Sequence, residues 1–141
     1  MNEKDYKLSP EDRKLLAKDL YQRLGTKTLV QDMIYETNRP IPIWLVDTIK
    51  EEVRLFADES WTPIDTVRPY LRPMSSMTDE ERGEYTDIKK GECNGCVLTG
   101  KGDPDTEFLL VDWLIDNKFD YRGLIPKGLA LEAKEGMYEK E

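Results

Sequence analysis

Apolar residues recur along the chain in two rhythms. Leu16, Leu20 and Leu24 fall four apart, Leu15, Ala17 and Tyr21 widen the stripe, and Lys14, Lys18 and Gln22 sit off it, which predicts an amphipathic helix covering a core. Ser9 as N-cap, Pro10 at the first helical position and Asp12 in the first turn mark its start, and Gly25 as C′ marks its end. From Thr28 the rhythm shortens. Stretches 28–35, 41–49 and 53–57 are rich in Val, Ile, Thr and aromatics and predict three strands in a meander, with reversals at 37–40 and at Lys50-Glu51, and an exit at 58–60. Pro42, lacking an amide hydrogen, belongs at a strand start or a sheet edge. Alternation puts Ile41, Ile43, Leu45 and Ile49 on one face, but Asp47 falls there too, so either the strand ends near Val46 or a bulge shifts its register.

Beyond Ser60 the signals are mostly punctuation. Thr62 as cap and Pro63 at the first helical position predict a short helical turn through Val67, and Pro69 and Pro73 then hold 68–74 extended. Thr78 and Glu81 form a capping box opening a polar helix from Asp79 to about Lys89, with Tyr85 and Ile88 as its apolar anchors. A short strand is predicted at 96–99. A second strong helix follows from about Asp105 to Asn117, with Leu109, Leu110, Trp113 and Leu114 on its apolar face. A turn at 120–123 and an extended segment at 124–131, broken by Pro126 and Gly128, complete the pattern. The expected fold is α+β: an N-terminal helix, a small antiparallel β-meander or partly closed barrel, and a C-terminal helical region. At 141 residues, with no repeat and no linker, a single domain over 1–141 is expected, frayed at 1–8 and 133–141.

Composition narrows the chemistry. Net charge is -8, with 29 acidic against 21 basic side chains, and residues 71–141 carry -6 of it, which disfavours broad nucleic-acid binding. The chain has no histidine, so Ser-His-Asp and Cys-His mechanisms and His-ligated zinc are excluded. The charged start at 1–7 has no apolar stretch behind it, and two cysteines are too few for a disulfide framework, so reduced thiols in a cytoplasm and no membrane span are expected.

Local motifs fall short of function. Cys93-Asn94-Gly95-Cys96 is a CxxC two ligands short of a zinc site, and Asn94-Gly95 reads as a hairpin turn; a redox role or a metal shared between copies are the other readings. Residues 95–102 match a P-loop until Gly102 stands where Ser or Thr should hold magnesium. Asp103, Asp105 and Glu107 alternate like a calcium loop, but Phe108 and Leu114 occupy the positions that need Gly and Glu. No cofactor or metal is expected. Asp105, Asp112 and Asp116 share a face of the second long helix, either solvated or offered to a basic partner. Arg68, Tyr70 and Arg72 alternate along an extended segment, and Tyr121-Arg122 repeats the pair of residue types. These five are the candidate interaction residues, with latching of loops through carboxylates and carbonyls as the structural alternative.

Two segments carry a resemblance. Val67-Arg68-Pro69-Tyr70-Leu71-Arg72-Pro73-Met74-Ser75-Ser76-Met77-Thr78, followed by Asp79-Glu80-Glu81, is one. Asp112-Trp113-Leu114 with Phe119-Asp120-Tyr121-Arg122-Gly123-Leu124-Ile125-Pro126-Lys127-Gly128-Leu129-Ala130-Leu131-Glu132-Ala133 is the other. Both resemble segments of small, functionally uncharacterised proteins of gut Bacteroidales and of their phages and mobile elements, whose N-terminal helix often ends in a pattern that Leu20 to Leu24 also resembles. The middle of the chain, Cys93 to Asp105 included, departs from them. The resemblance implies a phage or mobile-element accessory protein and implies no activity. The resulting expectation is a non-enzymatic protein acting through a protein partner. A small barrel binding nucleic acid locally through Arg68, Tyr70 and Arg72, and an enzyme or redox protein using the CxxC, are the alternatives.

Overall fold

The computed structural model describes residues 7–34, 39–55, 60–90, 104–134 and 136–138, and the chain divides into two compact units, Met1–Leu71 with Arg122–Glu141, and Arg72–Tyr121. In the first unit, helix α1 spans Pro10–Gln22 and starts where the sequence predicts, with Ser9 Oγ accepting the Asp12 amide at 3.2 Å. Its end differs. Arg23 is the C-cap, its amide donating to the Asp19 and Leu20 carbonyls at 3.2 and 3.1 Å, so Gly25, at φ +81°, lies one residue past the C′ position expected for it.

Six strands form one sheet in the order β4-β3-β2-β1-β5-β6: β1 Leu29–Asp32, β2 Ile41–Asp47, β3 Glu52–Leu55, β4 Thr62–Pro63, β5 Val67–Leu71 and β6 Leu131–Glu132. Among the described strands the neighbours are antiparallel except β5 and β6, which run parallel. The meander is present as β1-β2-β3 and the sheet is open, so of the two expected arrangements the meander holds and the barrel does not. Its outer strands, β4 and β6, are two residues each and cannot close the sheet. Both remedies for Asp47 occur: β2 stops at Asp47, and its register against β3 shifts between Ile43 and Leu45. The reversal is four residues, 48–51, rather than Lys50-Glu51 alone, with Glu51 in the left-handed region at φ +57°.

Thr62 does not cap a helix. It pairs with Val53, and Pro63 with Glu52, so the helical turn begins only at Ile64 and is a 3-10 turn through Thr66. A proline on the two-residue edge strand removes no ladder bond that the sheet needs. Segment 124–131 is mostly turn rather than extended. The Leu124 carbonyl accepts the amides of Lys127 and Leu129 at 3.1 and 2.9 Å, and Gly128 sits at φ +77°.

The core of this unit joins Leu16, Ala17 and Leu20 of α1 to Val30, Val53, Leu55, Val67 and Leu71 of the sheet and to Leu124, Leu129 and Ala130. Each of these Leu and Val side chains contributes about 1.5–3 kcal/mol by leaving water. Leu8 packs on this core and donates its amide to Asp65 Oδ1 at 3.3 Å. Near the C-terminus Tyr138 is held in place, its hydroxyl accepting the Leu29 amide at 2.8 Å and donating to the Tyr70 carbonyl at 2.9 Å.

In the second unit a 3-10 turn at Met74–Ser76 leads into α2, Asp79–Lys90, and α3 spans Pro104–Asp116. The capping box forms reciprocally: the Glu81 amide donates to Thr78 Oγ1 at 3.1 Å, and the Thr78 amide donates to Glu81 Oε1 at 3.0 Å. Met77, Leu114 and Phe119 make a small core flanked by Tyr85, Leu110, Trp113 and Tyr121. Trp113 stacks on Phe119 with ring centroids 5.6 Å apart.

Candidate functional site

The five residues singled out from sequence are all engaged within the chain. Arg68 is 5 % exposed and donates to carbonyls: Nε to Gly128 at 2.9 Å, Nη1 to Asp65 at 2.7 Å and to Val67 at 2.8 Å. Tyr70 is equally buried, and its hydroxyl donates to Gln31 Oε1 at 3.1 Å. Every residue of β5 is buried, so alternation along it separates no wet face from a dry one. Arg72 holds the Glu81 carboxylate through two bonds and lies over the Phe119 ring, 4.3 Å from its centroid. That guanidinium and the Thr78 amide keep the Glu81 carboxyl down at about 2, against the opposing effect of its burial. Tyr121 packs on the Phe119 core, and Arg122 reaches back to Asp19 Oδ1 at 2.9 Å and to Gln22 Oε1. Arg68, Arg72 and Arg122 thus pair with backbone carbonyls and carboxylates of the chain itself.

Cys93, Cys96, Asp103 and the glycine-rich stretch 95–102 lie outside the described residues. Asp112 and Asp116 are exposed on α3. Among the described residues no three His, Cys, Asp or Glu side chains are grouped to hold a metal ion, and no helix is long and apolar enough to cross a membrane.

Exposed apolar side chains gather elsewhere, on the sheet of the first unit. Ile41, Ile43 and Val46 pack on the core, whereas Trp44 and Leu45 are 51 % and 39 % exposed. The register shift in β2 explains the pairing. An ordinary strand would send consecutive residues to opposite faces, but the bulge turns both of these outward. On β3 the alternation is regular: Val53 and Leu55 are buried, and Arg54 lies between them, paired with Leu45. Trp61, 43 % exposed, immediately precedes β4. Because β3 runs between β2 and β4, Arg54 has an indole on each side, its guanidinium carbon 5.0 Å from the Trp44 ring centroid and 5.9 Å from that of Trp61.

This Trp-Arg-Trp arrangement, with Leu45 beside it, was not legible from the 41–49 pattern, which places Leu45 on the core side. The misfit of Asp47 signals the bulge but gives no way to place it. Chemically the patch offers two indoles held by a shared cation, with apolar area and planar stacking faces but no nucleophile, acid or base. Indole and guanidinium are the groups that most often dominate binding energy at protein interfaces. At roughly 100 Å² of exposed surface each, the two indoles represent about 2.5 kcal/mol apiece of unrealised burial. No protein-family model, curated protein or solved structure matches the chain.

Proposed function

We propose that this chain is a non-catalytic accessory protein of a phage or mobile element, working in the cytoplasm by binding a protein partner through Trp44, Leu45, Arg54 and Trp61. The observation that carries the reading is the β2 bulge. It turns two consecutive large apolar side chains to solvent beside an arginine already pinned between two indoles. A protein partner is favoured over nucleic acid because the whole chain carries -8, so one guanidinium would have to work against a repulsive field. The mobile-element setting rests on the resemblance of segments 67–81 and 112–133 to proteins of that origin.

The test is affinity capture from the native host with the unaltered chain and with Trp44→Ser/Trp61→Ser, each quantified by mass spectrometry. A protein enriched by the first and lost with the second supports the reading. Equal recovery with both, or recovery that disappears on nuclease treatment, overturns it.

A further inference from the structure

A second feature of the first unit points to self-association. Between α1 and the reversal that joins β2 to β3 lies a cleft of about 330 Å³, lined by Lys14, Ala17, Lys18, Tyr21 and Thr48. That is the low end of the roughly 300–1,000 Å³ typical of small-molecule sites, so it suits one or two side chains better than a cofactor. Lys14 and Lys18 are exposed on α1, and among the described residues neither enters an ion pair. The cleft is therefore an apolar floor with two cations at its rim, in a chain whose net charge is -8.

The matching knob adjoins it. Ile49, the residue after the cleft-lining Thr48, is 90 % exposed, the most exposed large apolar side chain of the described residues. Positions at the tip of a reversal ordinarily carry Gly, Asn, Asp or Ser. This tip is also fixed rather than loose, because Asp47 Oδ1 accepts the amides of Ile49 and Lys50, each at 2.9 Å. A pre-ordered knob loses little conformational freedom on docking. Asp47 and Glu51 outweigh Lys50 across 47–51, giving the knob a charge of -1 opposite a rim of +2.

We propose that two copies of this chain associate about a two-fold axis, Ile49 of each entering the cleft between α1 and the β2-β3 reversal of the other. Knob and hole lie side by side in one patch, so a two-fold rotation lets each copy fill the other's cleft, the condition for a closed, isologous contact. Asp47 of one copy then approaches Lys14 and Lys18 of the other. The contact uses none of Trp44, Leu45, Arg54 and Trp61, and it stands or falls independently of the function proposed above.

Sedimentation equilibrium of the full chain at physiological salt, over a hundredfold range of concentration, tests the proposal. The expected result is a concentration-dependent dimer whose dissociation constant rises at least tenfold in Ile49→Asp and in Lys14→Glu/Lys18→Glu, and is unchanged in Trp44→Ser/Trp61→Ser. Circular dichroism and the thermal midpoint establish that each variant folds. On the unaltered chain, an isotope-filtered NMR experiment on a mixture of labelled and unlabelled protein should give contacts between the Ile49 methyls of one copy and the Tyr21 ring of the other. A monomer throughout the range, a dimer indifferent to Ile49→Asp, or a dimer lacking those contacts overturns the proposal.

Discussion

Arg72 grips Glu81 with both ends of its guanidinium, Nη1 to Oε2 at 2.7 Å and Nη2 to Oε1 at 2.6 Å, while the same carboxylate closes the capping box of α2. One side chain therefore serves as helix cap and as partner of the cation over Phe119. Its pKa, lowered from 4.5 to about 2, makes the pair a source of pH dependence. The folded value lies below the unfolded one, so this stabilisation is fully present above about pH 4.5 and fades as pH falls toward 2. Urea unfolding of the unaltered chain between pH 6 and pH 2.5 should show a decline that is shallower in Glu81→Gln. The same variant should lose about 1.5–3 kcal/mol at neutral pH, the usual worth of hydrogen bonds to a charged group. An identical acid limb in both proteins would contradict the assignment.

Asp19 should be the most sensitive charged position in the first unit. Its side chain is fully buried, Oδ2 accepting from the equally buried Arg23 at 2.8 Å and Oδ1 from Arg122 at 2.9 Å. Replacing it with Asn keeps the shape and strips the countercharge from a buried guanidinium, a change expected to cost about 3–5 kcal/mol. Guanidinium chloride denaturation measures this directly. A loss below about 1 kcal/mol would mean that the cluster contributes little to the fold.

Tyr138 should act as a clasp between β1 and β5. Tyr138→Phe leaves the Leu29 amide and the Tyr70 carbonyl without the hydroxyl they share, at a cost of about 1–3 kcal/mol. Hydrogen exchange at the Leu29 amide should accelerate. Burial pushes the Tyr138 pKa from 10.0 to about 12, so its contribution is intact below pH 10 and lost as pH rises toward 12. The unaltered chain should thus lose more stability between pH 9 and pH 11 than Tyr138→Phe does, as read by thermal melts.

The indoles at the proposed binding face should be dispensable for folding. Trp44→Ser and Trp61→Ser remove half-exposed rings and one cation-π contact each, worth about 0.5–1 kcal/mol at exposed sites. Chemical denaturation should show both variants folded, each about 2–3 kcal/mol less stable than the unaltered chain, the worth of the buried half of an indole. Acrylamide quenching should fall as each is removed, because Trp113 is only partly exposed, packed on Phe119 and hydrogen-bonded to Glu84 at 3.0 Å.

What could be read in the sequence was what is settled within a few residues. The Ser9 cap, the Thr78-Glu81 box, the two long helices and the β1-β2-β3 meander depend on neighbours three or four positions away or on period-two alternation, and all are present. Long-range contacts were not legible. Tyr138 and Leu29 are 109 positions apart, and nothing near either announces their bond. The fate of Arg68 and Tyr70 turned on partners far along the chain: β5 is buried throughout, and the acceptors Gly128 and Gln31 lie 60 and 39 positions away. The exposed face was half visible: Asp47 betrays an irregularity in β2, but which residues turn outward depends on where the extra residue falls, and a one-residue difference exchanges core for solvent. Thr62-Pro63 failed as a helix start because β3 offers that dipeptide a strand partner.

The proposed surface of Trp44, Leu45, Arg54 and Trp61 should meet another protein directly. Its most direct test places a photoreactive amino acid at position 45 of the full chain, produced in the native host, with position 112 on α3 as a control. Illumination should yield one discrete, protease-sensitive adduct from position 45 and none from position 112. No adduct at position 45, the same adduct at both positions, or one removed by nuclease would contradict it.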